Sequence, residues 1–525
     1  MMRKSTAATR CPERPAFGWK QVHRPVGKDT SKNLRNRTSG SLVPKRMASG
    51  ARYAHRVERP WSRSMQGGTA EPRPFVPAVT GRPVEGRFCC GAQRDAGVQE
   101  REREVFVMLT QRPRGTADLL PGEVESWRRL EDTFREVCRT YHYQEIRTPI
   151  FEHTELFARG VGETTDIVEK EMYTFEDHGE RSLTLRPEGT AGVVRAFVEN
   201  KLYGNPDLTK LFYIGPMFRY EKPQKGRWRQ FHQYGVEVLG SEAPDVDAEV
   251  IALGATFLER LGLGRVQLEM NSVGCAECRP RHREAMVAAL RPVADRLCAD
   301  CQSRLERNPL RIFDCKNESC QALLREVNAP TVLDCLCDAC AEHFDAVKRL
   351  LQETGVSYTV NPRLVRGLDY YTRTAWEFIV PGYSTVAGGG RYNGLVAEVG
   401  GPETPGVGFA GGLERALLVL QEQGIHPAQK SALAVYIAVA DDTAATTAAR
   451  LLQQVREAGI SADRDYQNKG LKAQFKAADR LGARFVLVLG ENEVAAGTVS
   501  VKDLTTGEQV AVAQDQLVSY LSTRV

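Results

Sequence analysis

Nowhere in this chain of 525 residues do about eighteen apolar residues follow one another, so no helical membrane span is predicted. The first 107 residues lack even the shorter apolar runs that a strand-rich core needs. They carry 22 Lys and Arg against 9 Asp and Glu, a net charge of +13, and are rich in Arg, Ser, Pro and Gly. Such a composition buries too little apolar surface to offset the entropy of ordering, and the segment reads as disordered. Three origins compete. It could be a targeting peptide, although it runs long and lacks a sustained amphipathic repeat. It could be a basic tail for nucleic acid. The favoured reading is upstream sequence translated from a mis-set start, with Met108 opening the folded protein, because a turn-like RPRGTADLLPGE follows at once. Residues 108–525 have the opposite sign, 49 Lys and Arg against 57 Asp and Glu, a net of −8, so the overall +5 says little about a partner. No secretory signal is recognised. The 13 cysteines therefore point to thiols or metal rather than a disulfide scaffold, and the cytoplasm is the expected location.

From Pro121-Gly122 onward folded texture begins. The run Glu123 to Tyr141 puts Trp127, Leu130, Phe134 and Val137 on one stripe and predicts a helix. Residues 142–162 predict a short strand closed by Pro149. Residues 163–177 read as a loop into a strand, with Arg181 to Leu185 as its hairpin partner. Pro187-Glu188-Gly189-Thr190 then punctuates the entry to a helix at 190–203, whose N-terminal amides favour a negative group nearby.

The most informative stretch is 211–240. Phe218-Arg219 and Phe231 to Glu237 read as antiparallel neighbours joined by a basic turn with Lys225, Arg227 and Arg229. Residues two apart share a face of a strand, so Gln233 and Glu237 point the same way, with Arg219 beside them. One reading is a charged hairpin on a solvated face. The favoured one is a pocket for a small zwitterion beside a polyphosphate, because such a face is costly to bury for stability alone and Gln233 and Glu237 alternate with Val236 and Val238. The glycine run 388–401 lacks the spacing of a dinucleotide fingerprint and does not open a βαβ unit.

Nine of the ten cysteines after Met108 fall between 275 and 340. Cys275-x2-Cys278 and Cys298-x2-Cys301 have zinc-site spacing, which predicts about one structural Zn²⁺ on these four thiolates. Cys315-x4-Cys320, or two of Cys335, Cys337 and Cys340, could replace a pair or supply a second set, and free thiols in a helical insertion are the rival reading. Such a metal would hold the insertion for contact with nucleic acid. Beyond Ser431, strands at Val435–Val439, Arg484–Leu489 and Thr498–Asp503 alternate with helices at Thr443–Ala458 and Leu471–Leu481, a small α/β domain. Lys469, Lys472, Lys476 and Arg480 lie near one helix face there, either a basic patch for nucleic acid or a solvated surface.

The helix and strand ending at Pro149, then Phe218-Arg219-Tyr220-Glu221, then 408-GFAGGLERALLVL-420 resemble the three motifs of class II aminoacyl-tRNA synthetases. The more specific stretches 186-RPEGTAG-192, 224-QKGRWRQFHQYGVE-237 and 364-LVRGLDYYTRTAWEF-378 resemble the histidyl-tRNA synthetase family, of bacterial type, over essentially 108–525. The resemblance implies an α+β fold: a class II antiparallel sheet flanked by helices, an insertion domain between motifs 2 and 3, and a C-terminal α/β anticodon-binding domain. The implied boundaries are 108–268 and 356–425 for the catalytic domain, 269–355 for the insertion and 431–525 for the last domain. A homodimer acting on ATP, with Mg²⁺, on L-histidine and on tRNA(His) is implied, with no membrane partner.

By the same resemblance, Arg219 and Arg366 hold the α-phosphate and carboxylate region, and Arg415 the far phosphate end and adenine face; these three are the catalytic candidates. A guanidinium suits that work because it binds phosphate bidentately and keeps its charge. Glu188, Thr190 and Gln233 form the ammonium set. Glu237 and Tyr371 serve the imidazole, with Tyr370 lining the same pocket. Glu221 reads adenine, and Arg227 the terminal phosphate or the tRNA end. His232 and His282 are expected to be structural. The alternative is an inactive histidine-sensing paralogue, which should have lost pocket arginines and the last domain.

Overall fold

The amphipathic stripe folds as helix α1 (Val124–Thr140), with Trp127, Leu130, Phe134 and Val137 buried. In the computed structural model the described residues are 110–162, 165, 167–383, 385–425 and 433–525. The basic extension, and with it every expectation for residues 1–107, lies outside them, as do residues 426–432. Among the described residues no helix is long and apolar enough to cross a membrane.

The segment around Pro149 forms two short strands rather than one, β1 (Gln144–Glu145) in the main sheet and β2 (Phe151–His153) in a separate small sheet, with Pro149 at the passage between them. After α2 (Thr154–Val161) and a π turn at Ile167–Glu171 come β3 (Tyr173–Glu176) and β4 (Ser182–Leu185), the predicted hairpin, which forms a three-stranded sheet with β2. Helix α3 (Thr190–Glu199) stops short of the predicted 203, where Lys201 turns left-handed at φ 54°. Strands β5 (Thr209–Phe218) and β6 (Gln230–Leu239) pair antiparallel along their whole length. Helix α4 (Pro244–Arg260) and strand β7 (Gln267–Ser272) follow.

The insertion is helical: α5 (Cys278–Leu290), α6 (Ala299–Arg307), α7 (Glu318–Glu326) and α8 (Asp338–Glu353). The chain then returns through β8 (Thr359–Val360), β9 (Thr372–Ile379), β10 (Thr385–Arg391), α9 (Leu395–Glu398), β11 (Gly406–Gly412) and α10 (Leu413–Glu422). The main sheet has the order β1-β5-β6-β11-β10-β9-β7-β8. Its six central strands are antiparallel, and short parallel strands lie at both edges. The predicted boundary at 269 falls inside β7, so the insertion proper starts after Ser272.

Strand alternation divides the sheet chemically. Tyr234, Val236 and Val238 face a core with α1 and α4, where the rings of Phe134, Tyr234 and Phe257 meet at centroid distances of 4.8–4.9 Å. Gln233, Gly235 and Glu237 face the other way. The last domain has the sheet order β13-β12-β14-β15-β16, from β12 (Val435–Val439), β13 (Ala462–Arg464), β14 (Phe485–Leu489), β15 (Thr498–Asp503) and β16 (Gln509–Ala513). β13 and β16 had no counterpart in the sequence reading. Helices α11 (Ala445–Glu457) and α12 (Leu471–Arg480) match the two predicted there.

One ion pair crosses the core entirely out of water. Arg391 at the end of β10 donates to Asp247 of α4, and both side chains are fully buried. The remaining Arg391 N–H groups reach the carbonyls of Ser241 and Ala243, and His343 of α8 approaches Asp247 at 3.3 Å. Removing one partner strands the other charge. Asp247→Ala is therefore expected to cost about 3–5 kcal/mol, read as a lower melting temperature. A melting temperature equal to wild type would show the pair to be energetically idle.

Candidate active site

On the face turned away from the aromatic core, β6, β9, β10 and β11 floor a cavity of about 390 Å³. Glu188, Thr190, Arg219, Glu221, Arg227, Gln233, Arg366, Tyr370, Tyr371 and Arg415 all line it. Glu237 does not. It lies under the lining, fully buried, where the Thr190 hydroxyl donates to its Oε1 at 2.7 Å and the Tyr392 hydroxyl to its Oε2.

The two ends of the cavity differ in charge. At one end the Glu188 carboxylate accepts the backbone N–H of Thr190 at 2.8 Å and of Ala191 at 2.7 Å. The first amides of α3, expected to favour a negative group, are thus already taken by the chain's own glutamate. Burial raises the Glu188 pKa, against the pull of these amides and of Arg219. The buried Oε1 of Gln233 has no hydrogen-bond partner. An acceptor left so is costly unless a ligand donor meets it. Tyr370 and Tyr371 close this end, their rings 4.7 Å apart.

The other end is cationic. Arg219 Nε donates to the Pro187 carbonyl at 2.8 Å, which fixes the guanidinium against the wall. Arg227 pairs with Glu221 at 2.9 Å, and Arg415 donates to the Thr385 carbonyl at 2.6 Å. Burial pushes the Arg415 pKa down, and the neighbouring Arg227 and Arg219 push it further. Guanidinium groups crowded so closely suit several negative oxygens. Arg366 stands between the two ends, 5.8 Å from the Tyr371 ring centre and paired with Glu377.

Two glycines make this placement sterically feasible. A Cβ on Gly388 would stand 2.6–2.9 Å from the Arg366 guanidinium, and one on Gly408 would stand 2.0 Å from Glu237 Oε2. A glycine on β10 and another on β11 thus leave room for the side chains beside them.

The residues that build this cavity fall within a stretch matched by a known family model. The histidyl-tRNA synthetase family model matches residues 115–416, and the anticodon binding domain model matches residues 434–524. The chain belongs to the histidyl-tRNA synthetase family. It is 56% identical over 421 residues to the histidine–tRNA ligase of Pelotomaculum thermopropionicum, covering 80% of this chain and 99% of that one. It is 53% identical over 424 residues to that of Halalkalibacterium halodurans, with the same coverage. Among solved structures, apo S. aureus histidyl-tRNA synthetase aligns with a TM-score of 0.68 at 44% identity, covering 79% of this chain and 100% of that one. A Bacillus halodurans structure described as an ATP phosphoribosyltransferase regulatory subunit/histidyl-tRNA synthetase aligns at 0.54 and 20% identity over 73% of this chain and 99% of that one, a likeness of fold alone.

Within this histidyl-tRNA synthetase chain, Glu377, Tyr392 and Glu414 were missed from sequence. Glu377 is the one acidic residue of β9, set between the buried Trp376 and Phe378, which was a usable signal. Tyr392 directly follows the glycine strand. Glu414 accepts the His232 amide at 2.9 Å and meets its Nδ1 at 3.1 Å, which ties His232 to the start of α10. His282 is buried with Nε2 at 3.1 Å from the Pro330 carbonyl.

The four cysteines expected to share one metal do not come together. Cys275 and Cys278 cluster with Cys337 and Cys340, whereas Cys298 and Cys301 cluster with Cys315 and Cys320. Sequence separation misled here, since the second and third thiol pairs close on each other within the insertion. A second cavity of about 470 Å³ lies where the insertion meets the sheet, lined by Arg279, Arg283, Arg307 and Arg311 and sharing Arg366 and Tyr371 with the first.

Two expectations follow from this geometry. Gly388→Ala should leave the melting temperature near wild type, because only the far end of a flexible arginine must move. It should nonetheless depress histidine-dependent exchange of pyrophosphate into ATP; unchanged exchange would remove Arg366 from the reaction. The second concerns Glu237, whose pKa burial pushes up to about 8. The folded state then binds a proton that the unfolded state has released, so this group's contribution to stability falls as pH rises from near 4.5 to about 8. Histidine binding that needs the carboxylate should tighten over the upper part of that window. Glu237→Gln should bind more weakly and lose the part of the pH rise that is not histidine's own titration. Calorimetric titration at several pH values checks both; identical profiles for the two proteins would exclude Glu237.

Proposed function

We propose that this chain is a histidine–tRNA ligase: it activates L-histidine with ATP and transfers the histidyl group to the 3′ end of tRNA(His). The observation that carries the reading is Arg366, standing between a pocket fit for a zwitterion and a pocket fit for phosphates. A histidine carboxylate oxygen attacks the α-phosphorus, the bond to the bridging oxygen breaks, and pyrophosphate leaves. A terminal ribose hydroxyl of the tRNA then attacks the acyl carbon, its proton is lost, and AMP leaves.

Each side chain has a separate task. Glu188, Gln233 and the Thr190 hydroxyl receive the ammonium. Tyr371 partners one imidazole nitrogen, and Glu237 acts on the other through the Thr190 and Tyr392 hydroxyls that cover it, with Tyr370 packing beside them. A site that meets both nitrogens discriminates against apolar rivals by roughly 10⁴-fold or more, because they leave its buried groups unpaired. Arg219 and Arg366 hold the carboxylate against the α-phosphate and stabilise charge as it develops there. Arg415 and Arg227 take the outer phosphates, and Glu221 reads adenine. Glu221 and Glu414 are engaged by Arg227 and His232. They fit Mg²⁺ arriving on the nucleotide phosphates, where it supplies positive charge, rather than a cage built beforehand.

The exposed Lys469, Lys472, Lys476 and Arg480 on and beside α12 support anticodon-stem contact by the last domain, whose own sheet is complete. Ile150 and Phe151, exposed beside Pro149, support a homodimer formed there. The histidine-sensing paralogue is disfavoured by the presence of Arg219, Arg366 and Arg415 in one cavity. Arg366→Ala should fold normally and lose about 10²-fold or more in pyrophosphate exchange, the scale of removing one transition-state donor, while transfer from preformed adenylate suffers less. Wild-type protein without histidine-dependent exchange would sink the ligase reading itself.

A further inference from the structure

We propose that the insertion holds two mononuclear structural zinc ions in nested tetrathiolate sites, and that these sites brace the loop forming the histidine end of the active site. The outer site is Cys275, Cys278, Cys337 and Cys340; the inner is Cys298, Cys301, Cys315 and Cys320. The chemistry of the metals stands independently of the ligase reading. The bracing role rests on it.

The geometry favours one ion per site. In each group all four sulfurs lie within 4.8 Å of one another. A tetrahedral ion with bonds of about 2.3 Å sets its sulfurs roughly 3.8 Å apart. Cys275 and Cys337 are 3.8 Å apart, as are Cys298 and Cys315, and Cys275 and Cys278 are 3.6 Å apart. An iron–sulfur cubane spreads its thiolates farther than this. With four thiolates per ion no position is open for water or substrate, so the sites are structural.

The surroundings are those of thiolates. Backbone N–H groups donate to the sulfurs: Cys337 to Cys278 and Cys298 to Cys320, each at 3.2 Å, and Asn317 to Cys315 at 3.4 Å. Such second contacts orient metal-bound sulfur and spread its charge. Cys335 belongs to neither group, which makes it an internal control.

Each site sits at the root of an arginine that grips residues 367–371. Arg279 directly follows Cys278 and donates to the carbonyls of Asp369, at 3.4 Å, and Tyr371. Arg311, on the turn at Pro309–Asp314 between α6 and Cys315, donates to the Gly367 carbonyl at 3.0 Å and pairs with Asp369 at 3.4 Å. Tyr371 is itself a wall of the cavity. The brace adds to the expectation that a metal holds the insertion for tRNA contact. Loss of metal loosens the amino-acid pocket as well, so chelation lowers pyrophosphate exchange along with charging.

Elemental analysis of the full chain, purified without added metal, is the test. The expected result is two zinc ions per chain, each with four sulfurs at about 2.3 Å by X-ray absorption. Cys340→Ser and Cys320→Ser should each reduce the count to one, and Cys335→Ser should leave it at two. If the serine variants fail to fold, stepwise mercurial titration of the native thiols, read with a zinc-binding dye, should still release two ions. Fewer than about 0.2 zinc per chain, a single zinc, or iron in its place would overturn the sites. Arg279→Ala should keep both ions yet raise the histidine KM in pyrophosphate exchange, with partial rescue by Arg279→Lys; an unchanged KM would overturn the brace and leave the metals standing.

Discussion

The Glu237 carboxylate lies against Gly408 of the neighbouring strand, at a point where one added carbon would stand 2.0 Å from its Oε2. That contact governs the pocket. A carboxylate can be kept dry at this depth only if its oxygens are met by donors, and Thr190 and Tyr392 meet them. Thr190 opens α3, whose amides hold Glu188, so the two carboxylates are placed by one helix start. Tyr392 follows the buried Arg391, whose pairing with Asp247 anchors the end of β10 to α4. Pocket and core are thus joined through adjacent residues.

The electrostatic plan is local rather than global. Residues 108–525 are net acidic, yet Arg219, Arg227, Arg366 and Arg415 converge on one cavity. Low-dielectric walls strengthen the field of these groups at short range, while the acidic remainder acts weakly across solvent. Each arginine is also tied to a carbonyl or a carboxylate, so little reorganisation accompanies the arrival of phosphates.

Much of this was legible in the sequence. Alternation along 230–239 separated Gln233 and Glu237 from the valines and Tyr234, and the structure keeps that separation. Periodicity located α1, and β12 was bounded to the residue. What was lost depended on contacts between distant segments. That Glu237 sits beneath the lining follows from Tyr392, 155 residues away, arriving over it. The two thiol groups could not be sorted by spacing, because four thiol pairs allow several partitions and only the folded insertion selects one. Strands β13 and β16 are edge strands whose short, partly polar runs give little signal by themselves.

The nesting of the thiol pairs has a consequence for biosynthesis. All ligands of the inner group are translated before Cys337, and those of the outer group are complete at Cys340. Strands β9, β10 and β11 come later still, although they occupy the middle of the sheet. A nascent chain can therefore close the insertion from the inside outward while the sheet that carries it is still half made. The ribosome would then deliver the final strands to a rim already set, with Arg279 and Arg311 in position to receive the loop that ends at Tyr371.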